Sequence, residues 1–257
     1  MRRFMQTRPA PLSTSKETFM KRWQKTLSIA IATVALAAPV FAAGPVMDWD
    51  PAYFYSQSPG MTPLSQPVGG ILRCVGTISA FGPPLADLNP TIPAIEYTFV
   101  LESLVSAGTV TIGPIATQFY TTNYTGGTIQ VFADPSPDAV FAPNPPNALV
   151  PSSFLDLGLP ILTGTFTRFT VATNNFTTFQ VGNIEGDINW NGGTLIERFR
   201  GTNNSICPGL FTGGATWNTA PNIGIPGYLF RHDGKIDLQC PVPTRKDSWS
   251  KLKQLYR

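Results

Sequence analysis

Asn183-Ile184-Glu185-Gly186-Asp187-Ile188-Asn189-Trp190 is the stretch that decides the fold. A period of two sets Ile184, Gly186, Ile188 and Trp190 on one face. Asn183, Glu185, Asp187 and Asn189 then lie on the other, as in a strand with one dry and one wet side. A helix would scatter the same residues around its circumference.

The pattern recurs outward from there. Ile95, Tyr97, Phe99 and Leu101 alternate with Glu96, Thr98, Val100 and Glu102. Residues 71–81, 109–112, 118–121, 128–132, 161–171, 176–181 and 194–200 are further β-rich stretches bounded by Gly, Pro or Asn. Asp233-Gly234 between 228–232 and 235–240 predicts a type I′ hairpin, because both turn positions need positive φ. Asn123-Tyr124-Thr125-Gly126-Gly127-Thr128-Ile129 has an echo in Asn189-Trp190-Asn191-Gly192-Gly193-Thr194-Leu195. In both, an aromatic ring precedes paired glycines. About nine to eleven short strands without helical signals predict an all-β fold, an antiparallel β-sandwich or jelly-roll-like domain over 43–243.

Two segments are too proline-rich for central strands. One is 134–153, with Pro135, Pro137, Pro143, Pro145, Pro146 and Pro151, expected to run extended over the surface. The other is 45–68, where Trp49, Tyr53, Phe54 and Tyr55 are expected to anchor the segment to the core.

The two ends differ from the body. Residues 20–42 begin Met20-Lys21-Arg22-Trp23-Gln24-Lys25, continue into an apolar run over 27–38, and close on Val40-Phe41-Ala42 before Ala43. A basic start, a short apolar run and small residues at a cut point describe a secretory signal peptide, with cleavage between Ala42 and Ala43. The run falls short of the roughly 20 residues a membrane-spanning helix needs, so none is expected in the mature chain. Translation is expected to start at Met20, with residues 1–19 an N-terminal extension. At the other end, Trp249, Leu252, Leu255 and Tyr256 are interleaved with Lys251, Lys253 and Arg257. Near-helical spacing after Ser248 or Asp247 predicts a short C-terminal helix in a basic tail, 244–257.

Formal charge over the whole chain is +3, which misleads. Residues 43–243 carry six basic and thirteen acidic residues, whereas 244–257 carry five basic and one acidic. A body of net −7 is repelled by phosphate backbones, so nucleic acid is not an expected partner.

Cys74, Cys207 and Cys240 are the only cysteines. An exported chain favours a disulfide, and three thiols leave one over. Cys207–Cys240 is the expected pair, with Cys74–Cys240 the rival and Cys74 suited to burial as a small apolar residue.

Catalytic signatures are thin. His232, the only histidine, is expected to be exposed or capping beside its turn. No serine sits in Gly-x-Ser-x-Gly, zinc lacks ligands, and no phosphate-cradling loop occurs. A glycosidase-like hydrolase would need two carboxylates across a cleft, for which Glu96, Glu102, Glu185, Asp187 and Glu197 are candidates. Glu185, Asp187 and Asn189 on one strand face are weak candidates for a calcium site. Trp217 and Tyr124 are candidates for a sugar-stacking platform, although core packing suits them better. The composition therefore points to an exported, non-catalytic protein without cofactors, located in the periplasm, at the cell surface or in the medium. Its role would be structural, adhesive or surface-interacting, with the cell surface, a polysaccharide or a second copy as partner. The alternative is a carbohydrate- or calcium-dependent binding module.

Overall fold

The computed structural model describes residues 44–156, 158–174, 181–217 and 224–240. The signal segment, its cleavage point at Ala42 and Ala43, residues 176–180 of one expected strand, and the C-terminal tail all lie outside them.

The all-β expectation holds, and every strand pairing is antiparallel. Ten strands form one sheet: β1 (Met47–Ser56), β2 (Ile71–Thr77), β3 (Ala80–Phe81), β4 (Glu96–Ile112), β5 (Phe119–Thr125), β6 (Thr128–Asp134), β7 (Leu162–Asn174), β8 (Val181–Gly192), β9 (Gly209–Thr216) and β10 (Phe230–Leu238). The helical segments described are three short 3-10 turns, at Ile115–Thr117, Ser152–Phe154 and Ile196–Phe199.

The expected sandwich is replaced by a closed barrel. β10 pairs back onto β1, with Met47 opposite Ile236 and Phe54 opposite Phe230. β2 and β3 lie successively along β1, and β5 and β6 lie successively along β4. Each of these couples acts as one interrupted stave, leaving eight staves in up-and-down order. The break between β5 and β6 falls at Gly126 (φ +66°) and Gly127 (φ +93°), near Ser103 of β4 at φ +60°. A left-handed residue in a strand bends it, and such bends let a twisted sheet curl until its edges meet.

Closure explains the composition. A barrel of eight staves has an interior just wide enough to be filled by side chains. Trp49 and Phe99 rings pack 4.8 Å apart, Trp49 and Phe211 4.9 Å, and Phe166 and Phe169 5.0 Å. The same lumen takes Phe54, Leu72, Cys74, Ile184, Ile188 and Trp190, all buried. Rings of this size need small residues opposite them. A Cβ on Gly186 would come within 2.7 Å of Phe169 and 2.9 Å of Phe166. Glycine in the deciding stretch thus makes room for rings from the neighbouring strand. Its alternation appears as expected: Ile184, Gly186, Ile188 and Trp190 are buried, while Asn183, Glu185, Asp187 and Asn189 are not.

A second cluster covers part of the outer wall. Tyr53, Tyr55, Val75, Val100 and Phe132 point out of β1, β2, β4 and β6, and the Pro-rich loop lays Phe141, Ala142, Val150 and Phe154 over them. Thr98 donates its hydroxyl to the Phe154 carbonyl at 2.9 Å, and Glu96 Oε2 accepts the Ala139 N–H at 2.9 Å. The loop is therefore a packed outer layer and not an extended crossover.

Three other expectations are corrected. β10 runs straight through Asp233-Gly234, and neither residue has positive φ. Gly234 is there for space: a Cβ on it would lie 3.0 Å from the His232 ring nitrogen Nδ1. Residues 194–200 form no strand, since Gly193 (φ +99°) turns the chain into the Ile196–Phe199 turn, whose Phe199 packs on Trp190 at 5.3 Å. Finally, 45–68, set aside as too proline-rich for a central strand, supplies β1.

Candidate functional site

His232 is the first residue whose placement matters. Because β10 continues past it, the imidazole points into the lumen and is fully buried. It stacks on Phe211, with ring centroids 5.2 Å apart and planes 7° apart. Trp49 Nε1 donates to His232 Nδ1 at 3.1 Å. An indole N–H can only donate, so Nδ1 must accept and the neutral ring carries its proton on Nε2. Burial among rings disfavours the imidazolium and brings the histidine down to about 3, while the Gly213 backbone opposes this in part. The histidine expected from sequence to be exposed or capping is thus a core acceptor for Trp49.

The five candidate carboxylates are all engaged. Arg168 forks between Glu185 and Asp187, its Nε 2.7 Å from Asp187 Oδ2 and its Nη2 against Glu185. Those two acids are therefore bridged by a guanidinium, with Asn189 exposed beyond them on the same strand. Glu102 faces Arg73 at 3.6 Å, and Glu197 is bound by Arg200. Glu96 accepts two loop amides, from Asp138 at 3.2 Å and Ala139 at 2.9 Å. Among the described residues, no group of three or more His, Cys, Asp or Glu is placed to hold a metal ion.

The aromatic candidates are also interior. Tyr124 packs edge-on to Phe169 at 5.8 Å and Trp217 to Phe230 at 6.2 Å, both buried. Burial raises the Tyr124 phenol far above its usual range. Neither ring offers a surface for sugar stacking.

Cys207 and Cys240 form a disulfide with Cα atoms 4.6 Å apart, while Cys74 is buried and unpaired. The bridge ties the segment before β9 to Cys240, two residues past the end of β10. Burial pushes the Cys74 thiol up, which makes it a poor nucleophile.

Ion pairing is complete on one side only. Arg73, Arg168, Arg198, Arg200, Arg231 and Lys235 are all the cations of the body, and each is paired with an acid. Asp48, Glu96, Asp134, Asp138, Asp156 and Asp233 have no cation partner among the described residues. Two of them, Glu96 and Asp134, are directly opposite each other on β4 and β6.

Beside this acidic pair lies a groove of about 320 Å³. Pro90, Ile92, Pro93, Ile95 and Tyr97 line it, and Glu96 stands within it. The signal for it was the proline-dense 82–95 connection, which fits no strand pattern and was not singled out from sequence. At the opposite mouth of the barrel, the β4–β5 hairpin exposes Val110, Ile112 and Ile115 at 58%, 64% and 85%.

No helix among the described residues is long and apolar enough to cross a membrane. The fold defines an eight-staved, up-and-down β-barrel with a lumen filled by aromatic rings. No family model, curated protein or solved structure matches the chain.

Proposed function

We propose that the protein is exported and acts outside the cytoplasm through its outer surface, in a structural, adhesive or surface-interaction role without catalysis. The observation that carries this is the filled lumen. An eight-staved barrel has room inside for either one small ligand or its own side chains, and here Trp49, Phe99, Phe166, Phe169, Phe211 and His232 occupy that space. The candidate acids are engaged by arginines or loop amides, which supports a role in stabilising the wall. Export is supported by the signal-like segment at 20–42 and by the Cys207–Cys240 bridge, a bond that persists in oxidising compartments.

The test is retention of the mature protein, starting at Ala43, on whole cells and on insoluble cell-wall polysaccharide. The expected result is co-sedimentation, or self-association on its own. A variant with Val110→Ser, Ile112→Ser and Ile115→Ser, all at exposed positions, should lose most of it. A protein that stays monomeric and unbound to every surface contradicts the proposal. So does one that consumes a polysaccharide without being retained by it.

A further inference from the structure

We propose that the acidic, proline-lined groove between the 82–95 connection and the start of β4 is the docking site for this chain's own basic C-terminal segment, residues 244–257. It does not depend on the function proposed above.

Charge is the first argument. The body is net −7 over 43–243, and its six cations are all paired with acids. Of the unmatched carboxylates, Glu96 lines the groove, Asp134 is opposite it on β6, and the exposed Asp138 follows the lining residue Pro137 and donates its backbone amide to Glu96. Nothing in the described body remains to neutralise them. The five cations of the tail, Arg245, Lys246, Lys251, Lys253 and Arg257, are the chain's remaining positive charge after the signal segment.

Surface chemistry is the second. The groove is of mixed character, with Thr77, Glu96 and Tyr97 beside Pro90, Ile92, Pro93 and Pro137, and Ile92 within it is 44% exposed. The tail carries Trp249, Leu252, Leu255 and Tyr256 between its cations. Such a segment can bury apolar side chains against Pro90, Ile92 and Pro93 while its lysines reach the acids around them.

Position is the third. The Cys207–Cys240 bridge fixes where the tail departs, two residues past the end of β10 at Leu238. That is the mouth where β1 begins and β4 begins, since Met47 is opposite Ile236 on one side and Phe81 on the other. From β10 to β4 the wall crosses β1 and the β2–β3 stave, roughly 15 Å at the usual strand spacing. Residues 241–257 span up to about 55 Å when extended, so the reach is ample. A segment tethered this close acts at an effective concentration of about millimolar, which favours docking within one molecule over docking on another.

The experiment is zero-length carbodiimide cross-linking of the mature full-length protein at about 1 µM, far below that effective concentration. Linked peptides are then mapped by mass spectrometry. The proposal expects Lys251 or Lys253 joined to Glu96 or Asp138 in the monomer band. It expects the links to fade at about 0.5 M salt, where the Debye length is only ~4 Å. Ile92→Ser and Asp138→Lys, both at exposed sites, should each lower the yield about fivefold, the scale of one apolar or one charge contact. Links to acids elsewhere on the barrel, links confined to a dimer band, or a yield unmoved by both variants overturn it. Acrylamide quenching reads the same contact without chemistry, because Trp49, Trp190 and Trp217 are buried and Trp249 belongs to the tail. A protected Trp249 that becomes quenchable in Ile92→Ser supports docking; one fully quenchable in the wild type contradicts it.

Discussion

Strands β4 and β8 carry the same alternation in sequence and stand in different walls of the folded protein. The inner faces of both enter the lumen, through Tyr97, Phe99 and Leu101 on β4 and Ile184, Ile188 and Trp190 on β8. Their outer faces part company. On β8, Glu185 and Asp187 meet water and Arg168. On β4, Thr98 and Val100 are as buried as their neighbours, because the Pro-rich loop has settled over them. A polar outer face leaves a barrel wall bare, and an apolar one recruits a second layer. The lumen is bound to the whole ring of strands, whereas the outer cluster is bound to one loop.

Acid should separate the two regions most. His232 sits at about 3 in the fold against 6.5 in an open chain, so the unfolded state binds the extra proton between those values. Its contribution is complete above pH 6.5 and is lost as pH falls toward 3. The loss follows from the one extra proton that the unfolded chain binds in that window. Denaturant midpoints across that window should show the slope, and His232→Phe should flatten it. Next comes truncation in the lumen. Trp49→Ala should cost about 3–5 kcal/mol, seen as loss of protection in β4 and β8 together. Replacing Cys207 and Cys240 by serine should cost about 3–4 kcal/mol, from the loop they close. On the outer wall, Phe154→Ala should cost about 2–3 kcal/mol, because a loop can collapse onto a gap better than a ring of strands can. Limited proteolysis should find the new cuts within 135–160 while the barrel stays whole. Smallest is Arg168→Ala, an exposed pair worth under about 1 kcal/mol by thermal melt. Equal effects at Trp49 and Phe154, both global, would erase the distinction between the two regions.

Much of the wall was legible in the sequence, and its closure was not. Period two at Ile184–Trp190 is visible because one face is dry and the other wet. Where both faces are covered, as over β1, the signal becomes a run of aromatics that resembles an anchored loop. Whether a sheet folds onto another or onto itself depends on pairs such as Phe54 with Phe230, far apart in the chain. Asp233-Gly234 misled for a related reason: glycine serves turns and also serves large neighbours. That second use depends on the His232 ring beside Gly234. The groove was invisible because its walls come from the end of β2, a connection, the start of β4 and Pro137, which no local pattern joins.

The measurement closest to the central claim is hydrogen exchange, read by NMR on the mature protein, across the seam between β1 and β10. A closed barrel predicts slow amides in both strands, as slow as those of β8. It also predicts cross-strand proton contacts between Tyr53 and Arg231 and between Met47 and Ile236. Fast exchange along β1 and β10, without those contacts, would mean an open sheet and a lumen that is not sealed.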